Sequence, residues 1–396
     1  MASVEPVQFN PLLPEVLENP YPLYHRLRAE DPVHQSPMGM WVLTRYDDVA
    51  LILRDPRFGR RGFQDLITGR FGHSGLSSSM LLQDPPDHTR LRALVSRAFT
   101  PRVVENLRGQ IQRMVDSLLD GLARRGEADL IAELAYPLPV AVISQMLGVP
   151  AEERGHFRQW SFDVARSLDS VVFPEPEVIA RANAAGQAIT EYFQALMAER
   201  RRAPRGDLLS DLVAVEEAGD RLSMEELLGT TLLLFLAGHE TTVNLIGNGV
   251  LALLRHPAEL DRLRSEPGLI ESAVEEALRY DSPVQRLSRV VYEDVTIGDR
   301  TIPTGSLVMG LLGAANRDPA HFPEPDRFDI GRRDNRHLAF GWGIHFCLGA
   351  PLARLEGQIA LGTLLRRFPR LALAADRVEW RQTATLRGLA ALPVRV

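Results

Sequence analysis

Apolar residues recur at three- and four-residue spacing through much of 88–280. Leu107, Ile111, Met114, Leu118 and Leu122 make one such stripe, and that period predicts amphipathic helices. The pattern is most telling after Ser223. Ser223 and Glu226 stand in the S-x-x-E spacing of a capping box. The helical signal then runs to Arg255, just before His256-Pro257, or roughly 50 Å at 1.5 Å per residue. Its middle, Leu232 to Leu236, is apolar on every side. A helix of that kind lies at the centre of a large core. Further helices are expected over Tyr46–Arg54, which stops at Asp55-Pro56, and over Pro351–Phe368. Strand signals are short. Trp41-Val42-Leu43 follows the turn Pro37-Met38-Gly39, and Val295 and Ile297 alternate before Gly298-Asp299, with Thr301-Ile302 beyond. Residues 59–80 mix Gly, Ser, Arg and Phe without a period and read as a long mobile loop of the functional kind. The expected fold is mainly α with a small β-rich part. No linker or internal repeat interrupts it, so a single domain over 1–396 is expected.

Composition narrows the chemistry. The chain has 396 residues, 45% of them hydrophobic and 24% charged, in globular proportion. A net charge of −6 leaves no global basic field for nucleic acid. All 45 basic residues are Arg, so a Schiff-base or P-loop lysine is excluded. Cys347 is the single cysteine, which excludes an internal disulfide and a multi-cysteine zinc site. The longest strongly apolar run, Leu232 to Gly238, is far below the roughly 20 residues of a membrane span. Met1 to Asn10 shows no signal-peptide pattern. A soluble, cytoplasmic, monomeric protein with no membrane association is expected.

The strongest chemical signal is Phe340-Gly-Trp-Gly-Ile-His-Phe-Cys-Leu-Gly349. A lone Cys is commonly an inert buried residue. Here Gly341, Gly343 and Gly349 let backbone approach something closely, and a helix begins after the sulfur, so its free N–H groups favour a thiolate. A thiolate cradled by glycines under an open helix end suits a soft, planar metal cofactor. A cysteine hydrolase with Cys347 as nucleophile and His345 as base fits poorly, because positions two apart seldom give that geometry and no orienting Asn or Asp is evident.

The segment resembles the cytochrome P450 haem-thiolate monooxygenases, whose F-G-x-G-x-H-x-C-x-G pattern is met by Phe340, Gly341, Gly343, His345, Cys347 and Gly349. The resemblance extends over nearly the whole chain and implies the P450 fold, with the long central helix over haem. It implies haem b as cofactor, O2 as co-substrate and Cys347 as axial ligand to the iron. A thiolate there pushes electron density that favours O–O cleavage. Phe340 would pack near the ring, and His345 would reach a haem carboxylate. His88 and Arg92 match the family's H-x-x-x-R element, and Arg289 is a further carboxylate partner. Glu276 and Arg279 match its E-x-x-R helix. The same spacing recurs at Glu105/Arg108, Glu199/Arg202, Glu259/Arg262 and Glu324/Arg327, so context singles this pair out. By resemblance Arg327 joins them in a buried structural triad.

Ala237-Gly-His-Glu-Thr-Thr242 places polar groups in the middle of the long helix, where burial demands partners. Thr hydroxyls often bond back to helix carbonyls. The motif also matches the family's acid–alcohol pair, with Glu240 relaying protons and Thr241 donating to bound dioxygen. Gly238 would leave room for a small ligand, with the helix locally widened. A hydrophobic substrate would lie against Leu233, Leu236, Ala237, Leu287 and Leu386, near the loop 60–82, Phe173-Pro174 and Thr385. No reductase, flavin or iron–sulfur motif is present. Electrons are therefore expected from a separate ferredoxin-type donor with its reductase, docking near Arg97, Arg102 and Arg354. The alternative is a non-enzymatic haem-binding or gas-sensing protein.

Overall fold

The computed structural model describes residues 7–71, 75–217 and 222–396. At its centre the helix Met224–Arg255 runs for 32 residues. Both halves of the capping box form: Ser223 Oγ accepts from Glu226 N at 3.2 Å, and Glu226 Oε2 accepts from Ser223 N at 2.9 Å. Leu227 to Phe235 and Thr242 to Leu253 are buried without a break, so the helix contacts protein on all sides. The largest core cluster wraps it, built from Ile111, Val115, Leu119 and Leu122 on Arg108–Leu122 and from Leu352, Ile359 and Leu364 on Ala350–Arg367. The all-apolar centre of the sequence thus becomes the axis of the fold. Among the described residues, no helix is long and apolar enough to cross a membrane.

A five-stranded sheet flanks this helical mass, in the order Val33–Gln35, Trp41–Leu43, Leu307–Leu311, Arg286–Val291 and Phe58–Gly59. Trp41–Leu43 runs parallel to Leu307–Leu311, and the other pairs are antiparallel. Its strands hold a second core with the helix Tyr46–Arg54, through Val49, Ile52, Leu53, Val291 and Val308. Arg289, on Arg286–Val291, lies opposite Val308 on Leu307–Leu311.

Two expectations change. The described part of 59–80 is not an extended loop, and residues 72–74 lie outside the described residues. It holds a helix over Arg61–Phe71 and short 3₁₀ turns at Gly75–Ser78 and Met80–Leu82. Phe63, Leu66 and Ile67 supply a helical stripe, weakened in the sequence by Gly62 and Gly69. The stretch 88–280 is not wholly helical either, since Glu127–Asp129 is a strand that pairs with Pro393–Arg395 at the far end of the chain.

Candidate active site

The cysteine loop is knitted by its own backbone. Gly341 N donates to Leu338 O at 2.8 Å, Phe346 N to Gly343 O at 3.1 Å, and Cys347 N to Phe340 O at 2.9 Å. Gly341 and Gly343 have φ of 72° and 70°, the left-handed region that favours glycine. A Cβ on Gly343 would also come within 2.6 Å of the Leu53 carbonyl oxygen, so the helix Tyr46–Arg54 presses directly on the loop. The helix Ala350–Arg367 follows. The N–H groups of Gly349 and Ala350 hydrogen-bond to Cys347. The Cys347 side chain is exposed, yet protein crowds the sulfur enough for burial to push the thiol up. Those N–H groups, Arg92 and Arg354 pull the other way. A soft metal cation overrides the burial effect by binding the deprotonated sulfur.

Behind the loop, Arg354 bonds bidentately to Glu275 at 2.7 and 2.8 Å and lies over the Phe340 ring at 4.5 Å. Arg354 is therefore pinned and is not a free docking cation. Arg97 and Arg102 are exposed.

Beside the loop, cations converge. The rings of His88 and His345 are 4.3 Å apart. Arg92 Nη2 donates to Phe346 O at 2.7 Å. Arg289, 2% exposed, shares the Ser288 carbonyl with Arg60: Nη1 of each donates to it, at 3.0 and 3.2 Å. Arg60 is a site residue that the sequence reading missed, hidden in the supposed loop. Burial lowers all these groups. His345 falls to about 2 through burial and then its neighbours Arg60, Arg289, His88 and Arg92. Burial brings Arg60 to about 10, and burial plus Arg60 takes Arg289 well below its usual value. The nearest carboxylate, Asp84, is already taken up by Arg60 N at 3.0 Å, Arg61 N at 3.1 Å and the Tyr292 hydroxyl at 2.5 Å. Both ring nitrogens of His88, His345 Nε2 and Arg60 Nε are buried without a partner among the described residues. Desolvated donors with so little negative charge among them fit a cofactor carrying carboxylates.

On the central helix Thr241 and Ala237 are accessible, whereas Glu240 is buried. Thr241 Oγ1 donates to Ala237 O at 3.2 Å. Gly238 does not leave room for a ligand. A Cβ there would sit 3.0 Å from Ile143, so the glycine permits close packing against the helix Pro137–Met146. The long helix stays α-helical through 237–242, without the expected widening. Glu240 pairs with Arg381, which sequence reasoning also missed, at 2.6 Å.

The structural triad needs one correction. Glu276 and Arg279 are fully buried and paired at 2.8 Å. The Arg327 side chain is 55% exposed and, among the described residues, pairs with Glu324 alone; what it gives the network is its backbone carbonyl, which accepts from Arg279 Nη2 at 3.0 Å. The second cation on Glu276 is Arg332, at 3.2 Å. The i,i+3 spacing gave Arg327 a local partner in Glu324, and the chain then turned Arg332 inward. Of the substrate-pocket candidates, Leu236 and Leu287 are half-buried, Leu386 is 9% exposed, and Leu233 is buried in the main core. An isolated bridge between Val284 and Leu386 holds the C-terminal turn against the strand that carries Leu287.

The family model for cytochrome P450 matches residues 32–390. Cytochrome P450 107B1 of Saccharopolyspora erythraea is 48% identical, covering 94% of this chain and 94% of the relative. The monooxygenase PikC of Streptomyces venezuelae is 46% identical over 95% of this chain and 91% of its own. The vitamin D(3) 25-hydroxylase of Pseudonocardia autotrophica is 48% identical over 95% and 94%. Among solved structures, the Bacillus subtilis bacillaene polyketide synthase cytochrome P450 PksS superposes with a TM-score of 0.89 at 42% identity, covering 98% of this chain and 99% of that one.

Proposed function

The chain belongs to the cytochrome P450 family, and from that premise we propose which of its residues run the reaction. It is a haem-thiolate monooxygenase that uses O2, and electrons from a separate redox partner, to hydroxylate or epoxidise a hydrophobic small molecule. The gas-sensor alternative does not stand, since the relatives carry the names of monooxygenases and hydroxylases.

Haem b is the proposed cofactor, and Cys347 would hold its iron through the sulfur. When bound, the haem would supply dioxygen activation, which a thiolate ligand favours by pushing electron density. Burial raises the Cys347 thiol on balance, the N–H groups of Gly349 and Ala350 work against it, and a metal cation on the sulfur would tip it to the thiolate. Gly341 and Gly349 allow the close approach of a flat ring, and Phe340, backed by Arg354, presents an aromatic side chain to it. His88, Arg92, Arg289 and His345 receive the cofactor carboxylates. Glu240 and Thr241 move protons and keep solvent from quenching the chemistry. Leu233, Leu236, Ala237, Leu287 and Leu386 make an apolar wall that orients the substrate. The vitamin D(3) 25-hydroxylase, the 6-deoxyerythronolide B hydroxylase and the polyketide biosynthesis cytochrome P450 PksS favour a bulky apolar substrate, of the kind polyketide biosynthesis makes. An acidic ferredoxin would dock on the cysteine side near Arg97 and Arg102. The protein would work in the cytoplasm as a monomer of one domain, 1–396.

One observation carries the site assignment: an accessible sulfur in a glycine loop at a helix start, beside buried cations with almost no carboxylate to answer them. The test is the reduced carbon-monoxide complex of purified protein. Thiolate ligation gives its long-wavelength Soret band, and Cys347→His should move that band to shorter wavelength. A band unmoved by Cys347→His would place the ligand elsewhere.

A further inference from the structure

The helix Phe157–Ser170 has little apolar surface to hold it down. Beyond Phe157, the residues it buries are Ser161, Ser167, Asp169 and Ser170, none of them apolar. Trp160 and Val164 add partly buried contacts with the main core. The Ser161 and Ser170 hydroxyls are buried without a partner among the described residues. Such a face gains little from the hydrophobic effect. An element with few buried apolar groups belongs to the low-stability end of a fold, from which moving lids are drawn.

Its C-terminal end is tied down through one carboxylate. Asp169 Oδ1 accepts from Arg286 Nη2 at 2.6 Å, Thr385 N at 2.9 Å and Thr385 Oγ1 at 2.6 Å, and Oδ2 accepts from Ala384 N at 2.7 Å. Thr385 Oγ1 in turn accepts from Arg286 Nε at 2.9 Å. The Arg286 and Asp169 side chains are 3% and 5% exposed, so parting them leaves a buried charge on each side. Three residues beyond the helix, the Phe173 ring lies 5.5 Å from the same guanidinium. All of this sits at the edge of the proposed pocket. Leu287 follows Arg286 on its strand, and Leu386 follows Thr385 in the C-terminal turn. Strand and turn are joined independently of Asp169, since Gln285 N donates to Thr385 O at 2.9 Å and Val284 bridges to Leu386. They form a fixed frame, and the helix is the part that can leave it.

We propose that Asp169 and Arg286 form the bolt of the substrate entrance. Opening withdraws Asp169 from Arg286, Ala384 and Thr385, and swings the end of the helix, with Phe173, off the strand and turn that carry Leu287 and Leu386. Closing re-forms those bonds over the molecule that has entered. The bolt governs how fast bulky molecules enter and leave, and a diatomic gas passes without it. The inference rests on the reading of Leu287 and Leu386 as pocket wall, and its test separates the two.

The test follows two ligands by stopped-flow absorbance in the haem-loaded native protein, D169N, R286M, T385V and L287F. One is econazole, a bulky azole that binds ferric haem through its imidazole nitrogen. The other is carbon monoxide, added to the reduced protein. D169N should speed both association and release of econazole about tenfold and leave carbon-monoxide association unchanged. R286M and T385V each remove part of the same network and should speed econazole by a smaller factor. L287F should weaken econazole affinity about fivefold. Native econazole rates in D169N and R286M, beside weakened affinity in L287F, overturn the bolt and leave the pocket standing. Native affinity in L287F overturns instead the pocket reading on which the bolt rests. Carbon-monoxide association quickened together with econazole shows a general loosening and also overturns the bolt. Should D169N fail to load haem, T385V carries the comparison by the same criteria.

Discussion

Arg332 and Arg327 make a sharp comparison, because the i,i+3 motif points to one and the fold uses the other. Arg332 is 9% exposed, and its Nε lies 3.2 Å from Glu276 Oε2. It also donates to Pro323 O at 2.9 Å, Arg327 O at 3.2 Å and Glu324 O at 3.3 Å. It thus ties the buried carboxylate to the meandering chain that leads into the cysteine loop. Arg332→Ala removes a charge-assisted bond and three carbonyl contacts, leaving Glu276 to Arg279, Asn335 and the N–H of Asp329. Bonds to charged groups contribute about 1.5–3 kcal/mol each, and breaking a buried pair outright costs about 3–5 kcal/mol. Since the Arg279 pair survives, a loss of about 2–4 kcal/mol is expected. Arg327→Ala removes only an exposed contact with Glu324, and exposed pairs of this kind add little. Urea unfolding followed by tryptophan fluorescence should show a clear midpoint drop for Arg332→Ala and none for Arg327→Ala. Haem loading should fall only in the former. Equal midpoints for the two variants, or the reverse order, would refute the assignment of the network.

Acid stability should report the Glu275 bonds. Burial works to raise that carboxyl, but Arg354 and His337 outweigh it and bring it from 4.5 down to about 2. A carboxyl lowered on folding adds stability above its unfolded value and loses it as pH falls toward the folded one. Glu275→Gln should therefore be less stable than the native protein near neutral pH and converge with it between pH 4.5 and about 2, read as urea midpoints across that range. Gly343→Ala should cost more than Gly341→Ala. Both residues have positive φ, but only at 343 would the added Cβ strike backbone, 2.6 Å from Leu53 O against a nearest atom at 3.9 Å for 341. A difference of about 1–3 kcal/mol is expected in unfolding, with faster haem loss to apomyoglobin from the 343 variant. Ser223→Ala should destabilise by about 1 kcal/mol through loss of the cap on the central helix, measurable in the same urea series.

Periodicity and caps made much of this architecture legible. Ser223 and Glu226 marked the start of the central helix because a capping box is a local code, and Leu232 to Leu236 marked its burial because no polar side was left. Local codes fail where partners come from afar. Arg60 met Arg289 only because Phe58–Gly59 adds to the edge of a sheet whose next strand is Arg286–Val291. Arg381 met Glu240 across 141 positions of sequence. Gly238 looked like space for a ligand because a sequence cannot say which neighbour fills the gap; here it is Ile143. The Arg327 expectation failed for the opposite reason, since a near partner at Glu324 was available on the surface.

The same arithmetic of charge bears on how folding and cofactor capture are joined. Burying the guanidiniums of Arg60 and Arg289 side by side is unfavourable: burial depresses both below their ordinary values, and Arg60 depresses Arg289 further. Asp84 offsets it only in part: its charge raises both groups, yet both stay depressed, and its oxygens already accept from backbone N–H groups and the Tyr292 hydroxyl. A dianionic cofactor at this place removes the repulsion and satisfies the unpartnered nitrogens of His88 and His345. Its binding energy then appears as folding stability, in proportion to the logarithm of its concentration over its dissociation constant. Arg289→Leu removes part of the repulsion as well as a donor. It should therefore lose haem faster to apomyoglobin while the haem-free protein unfolds at an equal or higher urea concentration. A haem-free variant markedly less stable than the haem-free native protein would show that Arg289 supports the fold through its own contacts and not through the cofactor.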